Sequence, residues 1–88
     1  MPLFRKKPVV IEAVQWNGSN LSEIAAFVTI THTVVHEEGL PVVIVIPTLE
    51  RSMGATLNDW IIKGVKGEFY PCKPDIFAAT YEPAEGGH

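Results

Sequence analysis

The stretch Asp59-Trp60-Ile61-Ile62-Lys63-Gly64-Val65-Lys66-Gly67-Glu68-Phe69-Tyr70-Pro71-Cys72-Lys73-Pro74-Asp75-Ile76-Phe77 decides the fold, because it packs a strand, a tight turn, a second strand and a helix start into nineteen residues. Trp60 to Val65 and Glu68 to Cys72 read as a hairpin, with Lys66-Gly67 at its tip supplying the positive-φ position that a tight turn needs. Pro74 suits the first position of a short helix, where its missing N–H costs nothing. Phe77 and Tyr81 are spaced to meet on one side of that helix, and Glu82-Pro83 stops it.

Upstream, the β-branched and aromatic run Val9, Val10, Ile11, Val14 and Trp16 favours a strand. Alternation places Val9, Ile11 and Ala13 on one face and Val10, Glu12, Val14 and Trp16 on the other. The turn Asn17-Gly18-Ser19 closes it. Asn20, with Glu23 three residues on, forms a capping-box pattern ahead of Leu21, Ile24, Ala25 and Val28, which recur at the spacing of one helical face. A helix over residues 20–29 follows, its apolar stripe needing a sheet to cover.

The middle reads as strands. Thr31 to His36 is β-branched and leads into a polar turn at Glu37-Glu38-Gly39. Val42 to Ile46 is uninterrupted apolar sequence, the pattern of a central strand buried on both faces, ended by Pro47. Glu50, Arg51, Ser52 and Gly54 read as a turn before a short strand at Ala55 to Leu57. This order describes an α+β fold: a small curved antiparallel sheet or partial barrel, an N-terminal helix packed on it, and a short C-terminal helix. An 88-residue chain holds one core, so residues 1–83 form a single domain and 84–88 a flexible tail.

With 47% apolar and 19% charged residues, the chain has the composition of an ordinary globular protein. A formal charge of −3 argues against a dedicated nucleic-acid binder, which needs an excess of cations to displace phosphate counterions. The cations nevertheless gather in two groups, Arg5, Lys6 and Lys7, and Lys63, Lys66 and Lys73. Cys72 is the only cysteine, which excludes an internal disulfide and fits a reducing compartment. The apolar run from Pro8 to Ile11 is cut by Glu12, too short for a signal-peptide core or a membrane span, so a cytoplasmic protein without a membrane partner is expected.

The segment Asp59 to Glu82, with the opening Arg5-Lys6-Lys7-Pro8-Val9-Val10-Ile11-Glu12-Ala13 and Gln15-Trp16, resembles a family of small bacteriophage and prophage proteins of unassigned function. The match covers both ends of the chain and leaves residues 29–57 without a shared motif. Where the family often shows Pro-Gly before Asp-Trp, this chain has Leu57-Asn58. The resemblance implies a phage-encoded protein acting inside a bacterial host cell, and it implies no chemistry.

Candidate sites follow from residue type and spacing. Lys63, Lys66 and Lys73 beside Trp60, Phe69 and Tyr70 could hold a nucleotide, ammonium groups meeting phosphate and a ring stacking on a base. The plainer reading makes the rings core and the lysines a solvated rim. His32 and His36, an even number of residues apart on a strand, would share a face with Glu37 and Glu38 nearby, but two histidines without a distant partner fall short of a metal site. Cys72 beside Lys73 and a helix start could be an activated thiol, yet it has no base partner and reads better as a small apolar side chain. Asp59 and Asp75 have turn and helix-start duties before any acid–base role. Gly64 and Gly67 lack the spacing of a phosphate loop.

The expected function is therefore a small non-enzymatic binding protein without cofactor or metal. It would capture a phosphate-bearing small molecule, such as a nucleotide signal, through Trp60, Lys63, Lys66, Tyr70 and Lys73. The competing reading is a protein-interaction module that binds or inhibits a host protein. A homo-oligomer is expected in either case, because so small a curved sheet often completes its pocket by self-association.

Overall fold

The computed structural model describes residues 2–4 and 9–84. The basic group at positions 5–7, Pro8 and the tail beyond residue 84 lie outside the described residues.

The hairpin forms as its sequence dictates. Strands β5 (Trp60–Lys63) and β6 (Phe69–Cys72) pair antiparallel, Trp60 opposite Cys72 and Lys63 opposite Phe69. Gly67 takes φ +82 in the connecting turn. A Cβ at position 64 would meet the Glu68 carboxylate, the movable end of a flexible side chain, which folds over the turn. On the far side of β5 runs β1 (Glu12–Gln15), giving a three-stranded sheet of order β1-β5-β6. After β6, Pro74 opens α2 (Pro74–Thr80).

The middle of the chain builds a second antiparallel sheet, order β2-β3-β4, from Thr33–Glu37, Leu40–Pro47 and Ser52–Ala55. Glu38 and Gly39, at φ 51 and 80, make the two-residue turn whose positive φ values match the twist of the flanking strands. The small antiparallel α+β class holds, with its strands divided between two sheets. Strand β4 lies earlier than the sequence pattern places it, because residues 56–59 are taken by a turn. The Thr56 N–H donates to Asp59 Oδ2 at 2.9 Å and the Asp59 N–H to the Thr56 carbonyl at 3.0 Å. Asn58 takes φ 73 in this turn, a left-handed position that asparagine tolerates better than most residues.

Between β1 and the second sheet lies α1 (Leu21–Phe27). Asn20 precedes it but makes no side-chain bond to the helix backbone. Its amide donates to Glu23 Oε1 and to the Gln15 carbonyl, both at 2.8 Å, while its oxygen accepts the Asn17 N–H. The expected reciprocal cap is thus replaced by a clasp that ties the helix start to the end of β1.

The core joins one face of each sheet to α1. Trp16, Ile24, Ile44, Ile46, Ile61 and Phe69 are all buried there. Phe27 meets Phe69 edge-on at 5.6 Å, and the Trp16 indole N–H donates to the Val42 carbonyl at 3.2 Å, linking the end of β1 to β3. Strand β3 is central in its sheet, yet Ile44 and Ile46 are buried while Val43 and Val45 are only half-buried, so the run is covered on one face. The strand sealed on both faces is β5, whose Ile61 and Ile62 are both fully buried. Ile61 faces the core. Ile62, opposite Ala13 and Tyr70, faces the other way.

Candidate functional site

That other face of β1-β5-β6 carries the hollow of interest. Alternation puts Ala13, Trp60 and Ile62 on it, and α2 lays Phe77 against Trp60, ring centroids 4.1 Å apart and planes 7° from parallel. Tyr81 continues the ladder, 5.1 Å from Phe77, as the i,i+4 spacing predicts. Between this ladder and the segment that enters β1 lies an open groove of about 570 Å³. Val9, Ile11 and Ala13 line it together with Trp60, Phe77 and Ala78. Among the described residues Glu82 is the one charged side chain in its lining.

Of the five residues expected to form a ligand site, only Trp60 lines this groove. Tyr70 sits on the same sheet face as Ile62; burial first, then the neighbouring Tyr81 hydroxyl, pushes its phenol up to about 12. It lines a different, smaller hollow of about 390 Å³, between β6 and the Thr48–Arg51 turn.

The three lysines are spread over the hairpin. Lys63 pairs with Glu12 and Phe69, on the sheet face opposite Trp60. Lys66 is exposed at the turn, where its backbone N–H donates to Glu68 Oε1 at 3.0 Å. A carboxylate of the chain itself therefore occupies the hairpin tip, where a phosphate would have to bind. Lys73 lies at the opposite end, about 13 Å along the strand from Phe69. Its ammonium is held by buried Asp59, 3.0 Å from Oδ2, and by Thr56 Oγ1 at 3.3 Å. Asp59 accepts three groups at once and serves as the staple of the 56–59 turn.

The remaining candidates are structural in their contacts. The Cys72 thiol is pushed up by burial, then by Asp59 and Asp75, which opposes thiolate formation. The Lys73 charge expected to activate it faces Asp59 instead. His32 precedes β2 and bonds the Ile30 carbonyl through Nδ1 at 2.9 Å, while His36 follows a register shift in β2, so the shared face expected from their spacing is not formed. Among the described residues no group of three histidines, cysteines or carboxylates gathers as a metal centre would require, and no helix is long and apolar enough to cross a membrane.

Phe77, Ala78, Tyr81 and the Val9–Ile11 segment were absent from the expected site. Their signal lay in two patterns: the Phe77–Tyr81 spacing, and the alternation that turns Val9, Ile11 and Ala13 away from Val14 and Trp16. Comparison with known proteins adds no relative: no family model matches the chain, and no curated protein or solved structure matches it significantly.

Proposed function

We propose that this protein is a small non-enzymatic binding module whose groove beside α2 takes up an apolar segment of another polypeptide. The observation that carries this reading is the groove's composition among the described residues: stacked aromatic rings, aliphatic side chains and a single carboxylate in the lining. Burying apolar side chains there would supply the binding free energy, at about 25 cal/mol per Å² before the costs of association. A phosphate-bearing ligand finds less support, because Lys63, Lys66 and Lys73 lie on different faces and ends of the hairpin and one is already ion-paired. The resemblance to phage proteins suggests, in this reading, a partner within the bacterial host cytoplasm, with the protein acting as a stoichiometric blocker of a host factor.

Selection from a random peptide library against the intact protein, with Ala78→Glu for counter-selection, tests this. Ala78 is exposed on α2, so a carboxylate there leaves the core alone and places a second negative charge beside the groove. The expected result is a set of peptides with bulky apolar anchors whose affinity falls tenfold or more, roughly 1.4 kcal/mol, in the variant. Peptides that bind both proteins equally, or a nucleotide that raises the melting temperature and loses its effect when Lys63 and Lys66 are changed to alanine, would reverse the assignment.

A further inference from the structure

The groove has a candidate occupant in the chain itself. Leu3 and Phe4 are 94% and 93% exposed, so these two large apolar side chains touch almost nothing of their own molecule. They precede by only a few residues Val9, which stands at the rim of the groove. Two bulky apolar side chains left in water invite cover, and the groove is the apolar hollow nearest to them in sequence.

We propose that the protein forms a twofold dimer in which Leu3 and Phe4 of each copy enter the groove of the other, an inference that rests on the groove being a polypeptide-binding surface. Two considerations favour a second copy over the chain's own groove. In the single chain the pair stands clear, although five residue steps separate Phe4 from Val9. Exchange is also reciprocal, so one symmetric arrangement covers both apolar pairs and both grooves and leaves no unsatisfied copy.

Charge acts in the same direction. The first eight residues contain three cations and no carboxylate, leaving four cations against ten carboxylates in the rest of the chain. Each N-terminal segment thus carries positive charge toward an acidic partner, where Glu82 lines the groove it would enter. Covalent reach adds a constraint: five steps span at most about 18 Å, so the two grooves must lie side by side across the symmetry axis. Once filled in this way, the groove is closed to any other polypeptide until the dimer separates, which makes concentration a regulator of binding.

Sedimentation velocity of the full chain across a range of concentrations reads the dimer directly. Expected is a reversible dimer that weakens as salt rises. Leu3→Ser with Phe4→Ser, and separately Ala78→Glu, should each raise the dissociation constant, the double variant by roughly a hundredfold. All three positions are exposed, so the variants keep the fold. Mixing the two variants restores one intact pairing, Ala78→Glu supplying the apolar pair and the serine variant the groove, and should recover a heterodimer. A wild-type chain that stays monomeric at every concentration, or a dimer indifferent to the serine variant, overturns the exchange. Peptides that still bind in an Ala78-dependent way would then leave the groove reading standing, and their absence would remove both.

Discussion

Strands β3 and β5 occupy the same place in their sheets and live in different surroundings. β3 contains the longest apolar run of any strand, yet only Ile44 and Ile46 are buried, and the alternate positions Val43 and Val45 look outward with the partly exposed Val35. β5 has four residues, ends in a lysine, and is sealed on both faces at Ile61 and Ile62. What separates them is α2, which packs on the outer face of one sheet, while among the described residues the outer face of the other carries no element. Composition of a strand tells how much burial it could use; its neighbours decide how much it gets.

Substitutions at matched positions sharpen that contrast, the largest expected effect coming at Ile62. Ile62→Ala removes a fully buried side chain from the sheet face that α2 joins and should cost about 3 kcal/mol in urea unfolding. A cost near that of a surface change would mean that the second face of β5 is open. Asp59→Ala should follow at about 2 kcal/mol, since it strips the Thr56 N–H and hydroxyl of their acceptor in the turn that delivers the chain into β5. Val45→Ala, the counterpart of Ile62 on the outward face of β3, should cost about 1 kcal/mol, a half-buried site losing less than a sealed one. If Val45 matched Ile62, the outer face of the second sheet would be covered in solution and the contrast would fail.

The smallest effect is a pH dependence confined to the α2 side. The phenol of Tyr70 is raised to about 12, so its contribution is fully present below pH 10, the ordinary tyrosine value, and is lost as pH rises from there through about 12. Stability should decline over that window, and Tyr70→Phe should flatten the decline. An unchanged slope in the phenylalanine variant would place the titrating group elsewhere.

Local signals carried the hairpin, α2 and the helix over residues 21–27, because a proline at N1, a glycine turn and a 3.6-residue apolar stripe act over a few neighbours. Strand β4 was less legible: the Thr48 hydroxyl organises one turn and Asp59 the next, and side-chain competition of this kind leaves little trace in hydrophobic pattern. The candidate site was legible only in Trp60. Alternation already separated Lys63 from Trp60, but the Asp59–Lys73 pair and the Glu68 carboxylate folded over the turn depend on distances that the order of residues does not contain.

The two tryptophans fall on either side of this divide, and that gives the molecule a pair of optical gauges. Trp16, fully buried at the junction of the sheets, should emit in the blue and resist collisional quenchers until the whole domain opens. Trp60, stacked on Phe77 in the lining of an open groove, should emit further to the red and yield to acrylamide in the native state. Light from one residue thus follows the integrity of the fold, and light from the other follows whatever settles against α2.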